Sequence, residues 1–427
     1  MKKVPILDKT IAVIGLGYVG LPLALAFSKC YKTLGFDIND NRISELSRGF
    51  DKTGEAEEHE LLGAKSLIYT SQLDELKDAD IYIVTVPTPV DKFNRPDLTP
   101  LHNASKSIGK ILSCGNLVIF ESTVYPGATE EECVPYLESE SGLTANVDFF
   151  YGYSPERINP GDKNNRLESI IKLTSGSCES AALEVDSLYK SIISAGTYLC
   201  ASVRVAEAAK AIENTQRDVN IAFVNELTIL FNKLGLDVND VLDAASTKWN
   251  FLDFRPGLVG GHCIGVDPYY LSHKSQSLGY YSEIISVARR VNDSMSEYVV
   301  SKLVRALITA GADLKSVKLL IMGLTFKENC PDIRNSKVID ICQELQKLNI
   351  SFDVYDPYVD EEAVYNEYGI SVIKELPPSD YDAAIVTVGH DTFKELGAAG
   401  VRKFLKSGSI IFDVKAIYPQ RDVDLRL

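Results

Sequence analysis

A chain of 427 residues is too long for a single hydrophobic core, so two or three domains are expected. Hydrophobic residues make up 45% of the chain and charged residues 24%, which is typical of folded, water-soluble proteins. Acidic residues outnumber basic ones by 59 to 44 and no basic cluster is present, so we set nucleic-acid-binding proteins aside.

The cysteine pattern bears on metal binding and on cellular compartment. No two cysteines form a CxxC pair, which argues against a zinc site and a disulfide scaffold. We therefore expect no bound metal and a reducing, cytoplasmic location. An uncharged run over residues 10–28 superficially resembles a signal peptide or a membrane span, but three glycines and a proline interrupt it. The cysteines are Cys30, Cys114, Cys133, Cys178, Cys200, Cys263, Cys330 and Cys342.

The first predicted elements form a βαβ unit. A buried strand over residues 10–15 leads into a GxGxxG turn, and an apolar helix follows over residues 21–29. A second strand ends in Asp37, about 20 residues beyond the glycines, as in dinucleotide-binding sites. Asp37 favours NAD over NADP, because a 2′-phosphate would meet its carboxylate, and Arg42 would pack against the adenosine. The turn consists of Gly15, Leu16, Gly17, Tyr18, Val19 and Gly20.

Alternating strands and helices then predict the rest of the architecture. Further strands are predicted over residues 80–86, 117–121 and 147–151, and long helices over residues 203–234 and 282–310. A second βαβ pattern begins with a strand over residues 318–323, a helix over 336–348 and a strand over 352–355, and later strands span 383–388 and 409–414. The predicted fold class is α/β, with two Rossmann-like doubly wound domains joined by a central all-helical domain. The predicted boundaries are 1–200, 201–312 and 313–427.

The most informative stretch for chemistry spans residues 257–268 and contains Cys263. The Gly-Gly pair of this stretch exposes the sulfur, and a helical turn beginning there would favour its thiolate. Asp267, four residues on, would then share the same face. Lys210 and Asn214 share a face of the long helix, although on spacing alone Lys210 is equally well a surface lysine. A structural role is the better interpretation of His262.

Two loops carry further polar candidates beyond the ends of predicted strands. One spans residues 121–127 and the other residues 153–157. Ligands of doubly wound sheets bind at that edge. Taken singly, each of these residues is better explained as an ordinary turn residue.

Six stretches together resemble the UDP-glucose/GDP-mannose dehydrogenase family. They span nearly the whole chain in the family's order. The form of the cysteine stretch is most similar to the subgroup that oxidises UDP-N-acetylhexosamines for surface polysaccharides, of the Vi-antigen type. The stretches are GLGYVGLPLA, ESTVYPG, SPERINPGD, Lys210-x-x-x-Asn214, VGGHCIGVDPYYL and GLTFKENCPDIRNS.

The resemblance implies a four-electron oxidation of a sugar C6 alcohol to a carboxylate with two NAD+. Cys263 would be the nucleophile, forming a thiohemiacetal and then a thioester that water hydrolyses. Lys210 and Asn214 would stabilise the oxyanion, and Asp267 would act in proton transfer. Thr123 and Glu156 would position or activate the water.

The resemblance also implies ligand contacts and a homodimer formed through the central helices. Pro160 stands where glucose-type members have a second glutamate, so that position's role is not carried over. UDP-N-acetylglucosamine and UDP-N-acetylgalactosamine stay open as substrates, with UDP-glucose and UDP-N-acetylmannosamine as alternatives. The expected NAD contacts beyond the glycine turn are Val86, Thr88, Ser122, Thr123 and Arg334. The expected substrate contacts are Glu156, Arg157, Lys210, Asn214, Arg255, Gly260 and Lys327.

Two other functions would share part of this pattern. A one-step dehydrogenase of the hydroxyacid type would also have a Rossmann domain followed by helices, but it needs neither Cys263 nor a second nucleotide domain. A catalytically silent NAD-binding regulator would be expected to lose part of the set of Cys263, Lys210, Asn214 and Asp267. All four are present, which favours the two-step enzyme.

Overall fold

The computed structural model describes residues 9–91, 93–158, 167–261, 264–378 and 380–427. These residues divide into two compact units. One contains the described residues up to Glu213 together with Tyr269–Tyr280, and the other contains Asn214–Pro268 and Tyr281–Leu427. Pro160, His262 and Cys263 lie outside the described residues, and the division into three domains stays a prediction.

The first unit is built on a twisted sheet of mainly parallel strands. Its described strands are β1 (Thr10–Ile14), β2 (Lys32–Phe36), β3 (Leu67–Thr70), β4 (Ile81–Val84), β5 (Leu117–Phe120), β6 (Phe150–Tyr153), β7 (Lys172–Gly176) and β8 (Thr197–Leu199). They lie in the order β3-β2-β1-β4-β5-β6-β7-β8, and the β6–β7 pair alone is antiparallel. Because the order reverses between β1 and β4, the carboxyl ends of these strands flank a crevice of the kind that binds ligands.

Most of the strands predicted for this unit are confirmed, with one shifted. The strand predicted over residues 147–151 begins only at Phe150, because Asn146 takes a positive φ of 62° and closes a turn before it. The strands β3, β7 and β8 were not predicted, because they lack a clear two-residue alternation of apolar and polar residues.

Helices pack on the sheet of the first unit. The helix predicted over residues 21–29 is confirmed and spans Gly20–Ser28. Its side chains are almost all buried, which explains its apolar composition. The helices are α1 (Gly20–Ser28), α2 (Asp40–Ser47), α3 (Glu58–Gly63), α4 (Thr99–Gly109), α5 (Val134–Ser141) and α6 (Glu179–Lys190).

The middle of the chain is helical, as predicted. It contains α7 (Val203–Leu234), α8 (Val238–Ser246), α9 (Asp267–Ser277) and α10 (Glu283–Thr309). The two long helices agree with the sequence pattern within a residue. Helix α9 begins at Asp267, and the helical turn predicted at Cys263 lies outside the described residues. In the described ranges, no helix combines the length and low polarity that crossing a bilayer requires.

The last part of the chain forms a second parallel sheet. Its elements are β9 (Lys318–Met322), α11 (Lys337–Lys347), β10 (Ser351–Tyr355), α12 (Glu361–Tyr368), β11 (Tyr381–Val386), α13 (Asp391–Arg402), β12 (Leu405–Asp413) and β13 (Leu425–Arg426). The strand order is β10-β9-β11-β12-β13. Residues 319–322 and 383–386 are completely buried, as expected for strands covered on both faces. The predicted α/β class with two Rossmann-like sheets and a helical region is confirmed.

Candidate active site

The glycine turn after β1 has the shape that a dinucleotide pyrophosphate requires. Gly15 has a φ of 95°, a conformation that favours glycine. A Cβ atom at Gly20 would lie 1.8 Å from the Gly15 carbonyl oxygen, so only glycine lets α1 begin so close to the strand. A Cβ atom at Gly17 would meet nothing within 4 Å, which leaves the turn open to a ligand. The N-terminus of α1 can therefore stabilise a phosphate, and these residues fit NAD.

Asp37 lies at the carboxyl end of β2 beside this turn. Its Oδ2 accepts a hydrogen bond from the Leu16 N–H at 2.9 Å, and its Oδ1 accepts one from Asn39 at 3.0 Å. The half-buried carboxylate is thus fixed where it can bind the ribose hydroxyls.

Arg42 supports the glycine turn from within the protein. Its Nε donates to the Leu16 carbonyl at 2.9 Å, and its guanidinium pairs with Asp51 at 2.8 Å. Burial alone would raise the pKa of Asp51, but hydrogen bonds from Thr53 and Arg42 outweigh this effect and hold the pKa below its usual value. The side chain of Arg42 is only 4% exposed, so the structure gives it a bracing role, and its contact with adenosine stays a prediction.

The predicted NAD contacts beyond the turn follow the neighbouring strands β4 and β5. Val86 and Thr88 come after β4 and are half-buried, and Ser122 and Thr123 come directly after β5. The Ser122 hydroxyl donates to the Val86 carbonyl at 2.6 Å, which ties the two loops together. Because β4 and β5 are parallel neighbours, these residues share one edge of the sheet with the glycine turn.

A buried ionic cluster lies behind this edge. Lys172, at the start of β7, places its Nζ 2.7 Å from Glu121 Oε2 and 3.4 Å from Glu156 Oε2. The Tyr189 hydroxyl donates to the other oxygen of Glu121. Burial raises the pKa of Glu121, and the adjacent Lys172 opposes that rise. Glu156, predicted to act on water, therefore belongs to a network of charged groups.

Arg157 connects the second loop to the long helix. Its guanidinium lies 2.7 Å from Glu213 on α7 and donates to the Ile171 carbonyl at 2.7 Å. Because these contacts use several of the N–H donors of its guanidinium, Arg157 stabilises the loop in this structure. Its predicted contact with the substrate stays a prediction.

The polar residues predicted on α7 are buried. Lys210 is 7% exposed and Asn214 is 8% exposed, so the surface interpretation of Lys210 is wrong. Within the described residues, Lys210 has no hydrogen-bond or ion-pair partner. The Asn214 amide donates to Asp267 Oδ2 at 2.6 Å, and Asp267 is 1% exposed at the first turn of α9. A helix N-terminus stabilises a carboxylate in that position.

The chain leading to Cys263 is held from two sides in the second unit. Asn225 on α7 clamps the backbone of Gly257, accepting its N–H at 2.9 Å and donating to its carbonyl at 3.0 Å. A Cβ atom at Gly260 would lie 2.5 Å from the Asn335 carbonyl, and one at Gly261 would lie 2.7 Å from the Phe326 ring. The Gly-Gly pair is therefore required for close packing of this loop.

A cleft lies beside the same loop in the second unit. It contains three lysines whose cationic groups suit a diphosphate. Lys415 pairs with Glu328 at 3.3 Å, and Lys337 pairs with Asp293 at 3.0 Å. The lining residues include Leu258, Gly260, Thr325, Phe326, Lys327, Glu328, Ser336, Lys337, Val338, Thr387, Val388 and Lys415.

Only some of the ligand-binding residues predicted in the second unit line the cleft. Gly260 and Lys327 line the cleft, whereas Arg255 pairs with Asp243 and Asp253 at 2.7 and 2.9 Å. Arg334, predicted to reach NAD, pairs with Asp332 at 2.7 Å. Their ligand contacts stay predictions.

Several supporting residues were missed by the sequence analysis. A lysine between Ile171 and Leu173, at the start of β7, is a signal that could have identified Lys172. Lys337 and Lys415 have no such signal. Lys337 is the first residue of α11 and Lys415 follows β12, and lysines are common at such positions. Asn225 is hidden in the same way, as one amide on a long helix.

Comparison with known proteins gives a family match over nearly the whole chain. Residues 9–193 match the NAD binding domain of the UDP-glucose/GDP-mannose dehydrogenase family. Residues 204–294 match the central domain of that family, and residues 320–420 match its UDP binding domain.

Individual relatives are similar over the same length. The chain is 55% identical to UDP-N-acetyl-D-glucosamine 6-dehydrogenase of Salmonella typhi, covering 98% of both chains. It is 56% identical to UDP-N-acetyl-D-glucosamine 6-dehydrogenase of Pseudomonas aeruginosa, covering 98% of this chain and 100% of the relative. The solved structure of UDP-D-ManNAc dehydrogenase from Pyrococcus horikoshii matches with a TM-score of 0.88, 31% identity and 96% coverage of both chains.

Proposed function

The chain belongs to the UDP-glucose/GDP-mannose dehydrogenase family, and from that premise we propose that it oxidises C6 of UDP-N-acetyl-D-glucosamine to a carboxylate. It is an NAD-dependent nucleotide-sugar dehydrogenase. The substrate proposal is carried by the identity of 55–56% to two enzymes named for that sugar nucleotide. The enzyme from Pyrococcus horikoshii named for the mannosamine epimer is less similar, at 31%.

The two units offer separate supports for the two ligands. In the first unit, the glycine turn and Asp37 fit NAD, which accepts hydride when bound. In the second unit, Lys327 and Lys337 line the cleft beside the Gly260 loop and suit a UDP diphosphate. We propose that the sugar of the bound nucleotide extends from this cleft toward Cys263.

The proposed covalent step uses Cys263. Its thiolate adds to the C6 aldehyde produced by the first oxidation, forming a C–S bond and a thiohemiacetal. Loss of a second hydride converts this adduct to a thioester. Water then forms a C–O bond as the C–S bond breaks, which returns the thiolate and releases the carboxylate.

The buried groups on α7 and α9 are proposed to manage charge and protons. The Lys210 ammonium and the Asn214 amide can donate to the oxyanion of the thiohemiacetal. Asp267 accepts a hydrogen bond from Asn214 and is proposed to exchange protons through Lys210 and a water. Thr123 and Glu156 follow the adjacent strands β5 and β6 and are proposed to position the hydrolytic water.

The test is the stoichiometry of the purified protein across a panel of sugar nucleotides. We expect two NADH and one carboxylate per UDP-N-acetylglucosamine, with lower kcat/KM for the N-acetylgalactosamine, N-acetylmannosamine and glucose analogues. One NADH per sugar with aldehyde accumulating would contradict the two-step reaction. A higher kcat/KM for another sugar would replace the proposed substrate.

Cys263→Ser provides the matched test of the nucleophile. We expect this variant to release no carboxylate, because a serine hydroxyl at neutral pH is a much weaker nucleophile than a thiolate. Cys114→Ser changes an exposed cysteine and is the control. Equal carboxylate release by both variants would exclude the covalent step.

We further propose a homodimer and a cytoplasmic location. Phe223, Leu230 and Leu234 are 58%, 48% and 62% exposed along α7, which leaves an apolar stripe for a second copy. Leu230→Lys is expected to yield a monomer in light scattering. The described cysteines are all free thiols, which supports a reducing compartment and is tested by cell fractionation.

A further inference from the structure

Lys172 is enclosed to an extent that is rare for a lysine. It is 2% exposed at the first position of β7, and its Nζ lies 5.3 Å from the centre of the Tyr189 ring. Taking an ammonium group out of water costs several kcal/mol unless it is paired. The partners are the carboxylates of Glu121 and Glu156, so the burial of Lys172 depends on both.

The three charges do not cancel. Glu121 and Glu156 contribute two negative charges and Lys172 contributes one positive charge, which leaves the cluster with one net negative charge when all are ionised. Burial alone lowers the pKa of Lys172, but the adjacent Glu121 and Glu156 outweigh this effect and raise it, so the ammonium stays protonated. A purely structural pair would need only one carboxylate.

Glu156 is the member of the cluster that can reach a ligand. Its side chain is 11% exposed, whereas those of Lys172 and Glu121 are 3% and 0% exposed. Its Oε1 accepts hydrogen bonds from the N–H groups of Arg157 and Ile158, both at 2.5 Å. Its Oε2 faces Lys172 at 3.4 Å, so both oxygens of this carboxylate are held in place.

We propose that Lys172 is a positioning residue for thioester hydrolysis, fixing the Glu156 carboxylate through Oε2 in the orientation that activates the attacking water. Glu121 and Tyr189 hold the Lys172 ammonium in turn. This inference rests on the proposed function, in which Glu156 accepts a proton from water as the water oxygen bonds to the acyl carbon and the Cys263 thiolate leaves. No electrons are transferred in this step. Because the proposed role of Lys172 is confined to hydrolysis, both hydride transfers should proceed without it.

The inference predicts a specific kinetic pattern when Lys172 is lost. Both oxidations proceed, so a burst of two NADH per active site appears, and the acylated protein then accumulates because hydrolysis is slow. General base catalysis contributes about 10²–10⁴-fold, so we expect steady-state turnover to fall at least about tenfold. A structural defect would instead reduce the burst itself.

The experiment compares Lys172→Met with the double variant Lys172→Met/Glu121→Gln. The single variant leaves two buried carboxylates without a cation, which destabilises the folded protein. The double variant also removes one carboxylate charge and so keeps the cluster at one net negative charge. Lys190→Met is the control, because the Lys190 side chain is 58% exposed and its partner, Asp186, does not belong to the cluster.

Rapid-mixing absorbance measures the NADH burst, and mass spectrometry of the acid-quenched full-length protein measures the sugar adduct. A full burst with adduct accumulating in the double variant, and not in Lys190→Met, supports the positioning role. Product release at the control rate, or loss of the burst, overturns it. If the unmodified protein forms no NADH with UDP-N-acetylglucosamine, the proposed function fails instead, which the same traces reveal.

Discussion

In both sheets of this protein, the first strand is followed by a glycine turn with the same backbone conformation and hydrogen bond. Gly15 after β1 and Gly323 after β9 have φ values of 95° and 100°. Each donates its N–H to the last residue of the neighbouring strand, Phe36 or Tyr355, at 2.8 Å. The agreement extends beyond a shared fold class to individual hydrogen bonds.

The side chains around the two turns also correspond. The hydroxyl of Thr85 donates to the carbonyl of Gly15 at 2.7 Å, and Thr387 does the same to Gly323 at 2.7 Å. An aspartate after the second strand accepts the next backbone N–H in both sheets, at 2.9 Å for Asp37 and 2.6 Å for Asp356. These shared contacts favour a distant duplication.

The two sheets differ in the segment that leaves each turn. In the first sheet α1 begins at Gly20, so a helix N-terminus is available to phosphate. In the second sheet α11 begins only at Lys337, and the intervening chain lines a cleft whose three lysines are Lys327, Lys337 and Lys415. Asp37 is half-buried, whereas Asp356 is buried against His390 at 3.1 Å. One turn thus presents backbone amides and an acid that is proposed to bind the ribose, and the other presents cationic side chains.

The largest effect on NAD binding is expected from Gly20→Ala. Its Cβ would lie 1.8 Å from Gly15 O and 2.4 Å from Thr85 Oγ1, so the helix must shift away from the pyrophosphate position. We expect NAD affinity in calorimetry to fall at least about 100-fold, or about 2.7 kcal/mol. Glu328 has the corresponding position in the second turn, and Glu328→Ala should leave NAD affinity unchanged. Similar NAD affinities of the two variants would show that the two turns do not differ in cofactor binding.

Asp356→Asn tests the structural role of the second acid. Burial alone would raise the pKa of Asp356, but the hydrogen bond and charge of His390 outweigh it and lower the pKa. The resulting stability is therefore present above the unfolded pKa and lost as pH falls through the lower folded value. We expect the variant to lose about 3 kcal/mol in urea unfolding near pH 7 and to show a weaker pH dependence in acid.

Asp37→Asn is the matched change in the first sheet. It should weaken NAD binding while the urea midpoint stays close to that of the unmodified protein. A large loss of stability in this variant, or a loss of NAD affinity in Asp356→Asn, would reverse the roles given to the two acids.

Glu207 of the first unit should show the opposite pH dependence. Burial raises the pKa of Glu207 to about 7, although it accepts N–H groups of Gly127 and Thr129. The folded protein then binds this proton more tightly than the unfolded chain. Its stabilising effect is complete below the ordinary glutamate pKa of 4.5 and is lost as pH rises through about 7.

Between pH 5 and 8, ionisation of Glu207 should lower the free energy of unfolding by on the order of 2 kcal/mol, and Glu207→Gln should abolish this decrease. Denaturant titrations at several pH values measure it, with the exposed Glu179→Gln as control. If the unfolding free energy of Glu207→Gln changes with pH as it does in the unmodified protein, Glu207 does not titrate between pH 5 and 8.

The smallest effect is expected from Gly17→Ala. An added Cβ meets nothing within 4 Å, so the melting temperature should not change. The methyl group would lie on the open side of the turn, where we place NAD, and should weaken its binding about tenfold, or about 1.4 kcal/mol. Gly63→Ala also adds a methyl group in open space and is the control. Unchanged NAD affinity in Gly17→Ala would place the cofactor away from this turn.

Much of the fold and part of the site could be predicted from residues close together in the chain. The glycine turn, Asp37 and the two long helices follow from spacing and periodicity, because backbone geometry imposes those patterns over a few residues. The Gly-Gly pair before Cys263 was likewise visible as a local pattern. The strands β3, β7 and β8 have no clear two-residue alternation of apolar and polar residues, so no local pattern predicted them.

The contacts that join distant parts of the chain were decided only when the strands and helices packed. Lys172 meets Glu121 and Glu156 because β7 turns back antiparallel beside β6, and no spacing in the chain encodes that neighbour. The Asn225 clamp on Gly257 arises in the same way. Local patterns are set by hydrogen bonds within a turn or a strand, whereas these partners depend on sheet order and side-chain burial across the whole unit.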